Sequence, residues 1–372
     1  MVEQHCSFTV GILIPTYNRC NFLEIALSSV LEQSFTDVEI IVIDNKSTDG
    51  TFELMSGIED NRLTYVVNNY DLGLIGSINK GISLFSQKVQ WCTVICDDDI
   101  MHCDFVKSMQ NCISTDDTKT IVLSNITLID ALGNKIREVR SRPSFETAYD
   151  YILNRCEFNR ETFLTGIFFS RQKFNEIGGY PCFATGMASD DAFIYAIALK
   201  NLLFYCNDAL VYVRIHKDAE SYSKTGITNH MLALNNYKMY IDAMSKCNHQ
   251  YSEQELNAIE TAVNCYVTKL NSDFWLRNIA FKLKNREMAK DKLSELFEIF
   301  EDHRFQFDVR VKIIKLYNDK CIKKRNKYLV KPQLCVLNFI LKLFEYLSER
   351  SFTYRFARDT SLKLLSRRSN PN

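Results

Sequence analysis

Three adjacent carboxylates, Asp97-Asp98-Asp99, follow directly on the apolar run Trp91–Cys96. Neighbouring carboxylates repel one another, and a bound cation offsets that cost. Hard divalent cations such as Mg2+ and Mn2+ favour oxygen ligands. The triplet therefore reads as a candidate cation site, with a solvated acidic turn as the plainer alternative. Asp44 closes a second apolar run, Val38–Ile43, where it can accept a hydrogen bond from a nucleobase or ribose, or simply cap a turn. Pro15-Thr16-Tyr17-Asn18-Arg19 closes a third. There Tyr17 can stack on a base and Arg19 can approach a phosphate, although five such residues also suit an ordinary turn. Asp190-Asp191 stands where a helix begins, a place the helix dipole favours for acids. His216 follows a strand-like run and precedes a polar loop.

The elements that must position these groups alternate. Phe8–Pro15, Val38–Ile43, Leu63–Val67 and Trp91–Cys96 are short, near-continuously apolar runs. Helix-like stretches lie between them, near 22–33, after Ser47-Thr48-Asp49-Gly50, whose side chains offer N-caps, and near 76–85. This pattern predicts an α/β fold with a mostly parallel sheet covered on both faces. In such a sheet, ligands bind outside the carboxyl ends of the strands. The three polar constellations are thus expected to share one crevice. Further on, 120–129, 163–170 and 203–215 read as strands and 191–200 as a helix. From about residue 228 glycine disappears and the chain reads as helical. We place a boundary near 225, with a catalytic domain over 1–225 and a helical region over 226–372.

The chain has 372 residues, 46% hydrophobic and 24% charged, a composition that folds rather than stays disordered. Its 13 cysteines are odd in number, irregularly spaced and without a CxxC pair, so reduced thiols are expected rather than disulfides or zinc. No secretory signal and no membrane span is read, which points to a cytoplasmic protein. The charge is uneven. Residues 310–372 carry 16 Lys+Arg against Asp319, Glu345, Glu349 and Asp359, a surplus of +12 that the rest of a neutral chain must balance.

Taken in order, PTYNR at 15–19, VIDNKSTDGT at 42–51, NNYDLGLIGSINKGI at 68–82, CDDDIMHCDF at 96–105 and IGGYPCFATGMASDDAFIYAIAL at 177–199 resemble the family 2 inverting glycosyltransferases of GT-A fold. The likeness covers roughly the first 220 residues, with nucleotide-sugar binding implied for about 1–110 and the acceptor side for about 111–225. It implies a nucleotide-diphosphate sugar donor, Mn2+ or Mg2+ on the diphosphate, and a glycan acceptor, as in surface polysaccharide (O-antigen or capsule) synthesis. Carried over by position, Pro15, Thr16, Tyr17, Arg19 and Asp44 would hold the nucleotide, with Asn69 and Asn79 also at the donor. Asp97 would lie near the ribose. Asp98 or Asp99 would ligate the metal, with Asp98 favoured, and His216 would join them. Thr165 and Gly166 would approach the donor sugar, and Asp190 would flank the catalytic base, Asp191. Two positions depart from the pattern: Cys96 stands where relatives often have Asp, and Ile78 where many have an arginine that approaches the diphosphate.

The basic tail suits an anionic membrane surface and thereby a lipid-linked acceptor. It equally suits a helix packed on the catalytic domain. Nucleic acid is not an expected partner, because the tail lacks interleaved Gly-aromatic signatures. A sugar nucleotidyltransferase would need a glycine-rich phosphate loop that PTYNRCNF is not. A degenerate fold serving as an assembly subunit would have no need of the acidic triplet and Asp191.

Overall fold

The computed structural model describes residues 9–114, 118–216 and 227–284, without the side chains of 227, 228 and 272–284. In chain order the elements are β1 (Thr9–Thr16), α1 (Cys20–Leu31), β2 (Val38–Asp44), α2 (Thr51–Ser56), β3 (Leu63–Val67), α3 (Gly73–Leu84), β4 (Val89–Val94), β5 (Ile100–Met101) and α4 (Phe105–Ser114). There follow β6 (Ile121–Ile129), β7 (Lys135–Glu138), β8 (Phe145–Glu146), α5 (Ala148–Cys156), β9 (Ile167–Ser170), α6 (Arg171–Ile177), α7 (Ser189–Ala198) and β10 (Leu203–Arg214). The chain then runs helical through α8 (Ile227–Cys247) and α9 (Glu253–Lys284).

The strands form one sheet in the order β3-β2-β1-β4-β9-β6-β10-β5, with β7 beside β6 and β8 beside β10. The first four strands are parallel to one another, as expected. Beyond β4 the sheet is mixed: β9 runs antiparallel between β4 and β6, and β5, β7 and β8 also pair antiparallel. The expectation of a mostly parallel sheet therefore holds for its N-terminal half. A four-residue strand buried on both faces reads alike in either direction, so sequence pattern does not reveal its sense.

β1 is buried along nearly its whole length because it is covered twice. Ile12, Ile14, Ile40 and Val42 pack in one cluster with Leu23, Leu27 and Val30 of α1. Leu13 points the other way, toward α3, where Ile78 and Ile82 are also fully buried. Each such side chain contributes about 1.5–3 kcal/mol on burial. α3 comes close enough only because residue 81 is glycine: a Cβ there would lie 2.9 Å from Leu13 Cδ2 and nearer still to Cδ1. Two compact units divide the chain, Met1–Val267 and Thr268–Asn372. The basic tail from Arg310 onward lies outside the described residues, in which no helix is long and apolar enough to cross a membrane. The described cysteines are free.

Gly81→Val is expected to overpack the α3–β1 contact and lower stability by about 1–3 kcal/mol, read as a lower urea midpoint with an unchanged slope.

Candidate active site

The carboxyl ends of β1, β2 and β4 do converge. Thr16 Oγ1 donates to Asp97 Oδ2 at 2.8 Å, tying the end of β1 to the acidic triplet. The Asn45 amide, just past β2, donates to the Thr16 carbonyl at 2.9 Å. The loops after β1 and β2 are laced together: the Asn18 amide donates to Ser47 Oγ, the Thr48 amide to Asn18 Oδ1, and the Cys20 amide to Asp49 Oδ2. Asn18 and Lys46 take the left-handed conformation that these tight reversals require. Tyr17 stands 53% exposed at the rim, open to a stacking partner.

Asp97, Asp98 and Asp99 are all buried, and the fold uses each differently. Arg19 Nη1 bridges Asp97 Oδ1 at 3.1 Å and Asp98 Oδ2 at 2.8 Å. His216 Nε2 meets the same Asp98 oxygen at 3.0 Å, with the Phe22 ring against its imidazole. Its Nδ1 is buried without a hydrogen-bond partner. Asp99 is held from both sides, by Thr165 Oγ1 on one oxygen and the Arg214 amide on the other. Burial pushes the Asp97 carboxyl up to about 6, against the pull of Arg19. Burial, then repulsion from Asp98, pushes Asp99 well above the usual carboxylate range.

Negative charge in this cluster is thus undercompensated. Arg19 is the cation paired with it, while the Arg214 guanidinium goes to the carbonyls of Asp98, Asp130 and Ala131. The donor set fits a hard divalent cation. Ligand atoms of Cys96, Asp98 and Asp99 lie within 4.8 Å of one another. Burial raises the Cys96 thiol well above its ordinary value, and the carboxylate oxygens are the harder candidate ligands. Asp99, with both oxygens engaged, is the less available of the two.

Asp44 is buried, accepting Tyr65 OH at 2.6 Å on one oxygen and the Ser47 amide at 2.8 Å on the other. Each oxygen keeps a second lone pair for a ligand. The asparagines sort differently from the sequence expectation. Asn69 is exposed, and Asn68 is the one drawn inward, bonded to Asn45, Ser77 and Lys80. Asn79 clamps the turn ahead of α7: its amide donates to the Tyr180 carbonyl, and its oxygen accepts the Tyr180 amide, both at 2.9 Å. Ile78 is a fully buried core residue, and Lys80 rather than an arginine reaches this shelf.

The second acidic pair opens α7. Asp191 is buried, with one oxygen taken by Arg155 Nε at 2.7 Å and by Tyr151 OH at 3.1 Å. Asp190 is partly exposed, and burial together with the Asp191 charge pushes its carboxyl up to about 7. Ala188, just before the helix, adopts a left-handed conformation that turns the pair into place. Tyr180, fully buried, stacks on Phe193 of α7 at 3.8 Å between ring centroids. Gly166, at φ +95°, follows Thr165, and a Cβ there would strike Ser124 and Val211. Arg155, Tyr151, Asn68 and Arg214 were not singled out by sequence.

The parallel strands thus end on a buried acidic cluster, with a separate acidic pair at the start of α7. Residues 11–178 match the model of glycosyl transferase family 2. Glycosyltransferase GlyG of Streptococcus pneumoniae is 25% identical over 219 residues, covering 55% of this chain and 70% of that protein. A GalNAc(5)-diNAcBac-PP-undecaprenol beta-1,3-glucosyltransferase of Campylobacter jejuni is 27% identical over 220 residues, 57% of this chain and 61% of that protein. The chain spans under two thirds of the Campylobacter relative. S. aureus TarS 1-349 in complex with UDP-GlcNAc superposes with a TM-score of 0.54 at 16% identity, over 69% of this chain and 72% of that one, and so shares the fold.

Two outcomes test this geometry. Arg155→Met leaves the Asp191 charge buried and unpaired, which should cost about 3–5 kcal/mol in denaturant unfolding. Asp190 holds its proton in the folded state up to about pH 7 but loses it near pH 4 when unfolded, so its contribution to stability falls as pH rises across that window. Asp190→Asn should therefore raise the melting temperature more at pH 8 than at pH 5.

Proposed function

We propose that the chain transfers a sugar from a nucleoside-diphosphate sugar to a hydroxyl of a glycan acceptor, inverting the anomeric carbon in a single displacement. The observation that carries this reading is the junction of Thr16, Arg19 and the Asp97–Asp99 cluster, beside an oriented acidic pair. On this reading Asp44 and the laced loops hold the nucleoside, and Tyr17 covers the base. Asp97 faces the ribose and Asp98, with His216, holds Mn2+ or Mg2+. When bound, that ion offsets the charge that develops on the departing diphosphate. Arg19 places further positive charge at the same shelf, in the absence of an arginine at position 78.

Asp191 is the base. Arg155 and Tyr151 fix one of its oxygens, which orients the carboxylate. The other oxygen takes the proton from the acceptor hydroxyl as that hydroxyl attacks the sugar. Arg155 bonds to Asp191 and not to Asp190, so the pair divides its roles. Thr165 and Gly166 line the sugar's side of the crevice.

The acceptor we propose is a lipid-linked glycan. Support comes from the Campylobacter relative and from an Escherichia coli relative named UDP-Glc:alpha-D-GlcNAc-diphosphoundecaprenol beta-1,3-glucosyltransferase WfaP, 33% identical over 75 residues, 20% of this chain and 30% of that protein. Such an acceptor fits action at the cytoplasmic face of a membrane, with the basic tail as the contact.

Asp191→Asn should lower turnover by about 10²–10⁴-fold while leaving nucleotide-sugar binding intact. Unchanged turnover would remove Asp191 as the base. Asp98→Ala should abolish Mn2+-dependent stabilisation by UDP in a thermal-shift assay. If Asp99→Ala alone does so, the metal register moves by one residue.

A further inference from the structure

Beside the acceptor side of the crevice lies a cleft of about 250 Å3, lined by residues of β6, the 138–142 segment and the bulged part of β10, among them Ser124, Asn125, Arg140, Arg142 and Asn207. Arg142 is the feature that asks for an explanation. Three nearby arginines face a carboxylate: Arg137 faces Glu161, Arg155 faces Asp191 and Arg160 faces Glu146. Arg142 instead donates to the carbonyls of Ser124 at 2.9 Å and Glu161 at 3.4 Å, and lies over the Tyr205 ring. The acids within reach are committed elsewhere: Glu161 to Arg137, Glu138 to Lys135, and Glu146 to Arg160 and Tyr205. Burial pulls the Arg142 guanidinium below its ordinary value, against the opposing influence of Tyr205 and of Glu161, whose carboxylate is bonded to Arg137. Such a group is costly unless an anion meets it.

The other walls suit an anion with several oxygens. Asn125 and Asn207 supply amides and Arg140 adds a second guanidinium, while the one lining acid, Glu138, is paired with Lys135. The volume is below the roughly 300–1,000 Å3 of a pocket that takes a whole ligand, so it is a subsite. Its place ties it to the chemistry. The Ser124 amide donates to the Gly166 carbonyl at 2.9 Å, one residue from the Thr165 that holds Asp99. Tyr151, the phenol on Asp191, is among the groups acting on Arg142.

We propose that this cleft is an anion subsite centred on Arg142 that takes a phosphate or diphosphate ester carried by the acceptor. The anion binding stands by itself; its assignment to the acceptor rests on the glycosyltransferase reading above. A guanidinium fork matches phosphate oxygens in pairs, and a buried site strengthens each bond.

The first experiment titrates inorganic pyrophosphate into the full chain in EDTA, which removes the metal-dependent donor site from the measurement. Saturable binding is expected, weakened at least tenfold by Arg142→Gln and by Asn207→Asp, the second an exposed substitution that sets a like charge beside the ligand. Asp98→Asn should leave it intact. Absent binding, or binding that neither Arg142→Gln nor Asn207→Asp weakens, overturns the site. The second experiment compares transfer to one acceptor sugar with and without a lipid diphosphate. Asn207→Asp should raise KM at least tenfold for the diphosphate acceptor and leave the other unchanged. Equal effects on both acceptors, or none, would overturn the acceptor assignment and leave free phosphate as the ligand. Failure of transfer with every acceptor would count against the proposed activity and not against the first titration.

Discussion

Arg19 bridges Asp97 and Asp98 at the end of an apolar strand, and much of the surrounding structure answers the cost of burying those charges. Three carboxylates in sequence cannot all be ionised in a poorly solvated place without partners. The fold supplies them from four elements: Thr16 from β1, Arg19 from the start of α1, Thr165 from the loop before β9, and the Arg214 amide from the end of β10. Those elements are spread over some two hundred residues of sequence. Requiring them at one point fixes where the strands end, and so shapes the crevice. The residual excess of negative charge is what a cation would relieve, so the structural debt and the proposed chemistry have one source.

The acidic pair is built on the opposite plan. Asp191 is satisfied by a guanidinium and a phenol that lock its direction, while its neighbour, partly exposed, keeps a proton to about neutral pH. Two identical side chains in succession acquire different surroundings, because one is hydrogen-bonded to Arg155 and Tyr151 and the other is not. Arg155 itself sits against the Tyr266 ring, so the helical segment that follows the sheet takes part in holding the pair.

Much of this was legible in the sequence, for identifiable reasons. β1, β2 and β3 are continuous apolar runs ended by polar residues, so both their existence and their carboxyl ends could be read. The sense of β9 could not, since four buried residues carry no directional signal. Asn69 was singled out beside the inward-facing Asn68 because a chain leaving a strand keeps no fixed alternation. Arg155 and Tyr151 are separated from Asp191 by 36 and 40 residues, and nothing local links a helix arginine to that carboxylate. Arg214 acts through its backbone amide, a role that any residue type can fill. The basic tail lies outside the described residues, so its two readings stay as the sequence leaves them.

Asn79 has a consequence beyond its hydrogen bonds. Its amide grips Tyr180 from both sides across 101 residues of sequence, and Gly179 is the residue whose missing side chain admits it. Asn79 belongs to α3, and the turn at Tyr180 leads to the helix that bears the acidic pair. One primary amide therefore ties α3 to that turn. The tie is a rigid three-atom group and not a long, adjustable side chain, so the two elements would shift as a coupled pair instead of drifting apart.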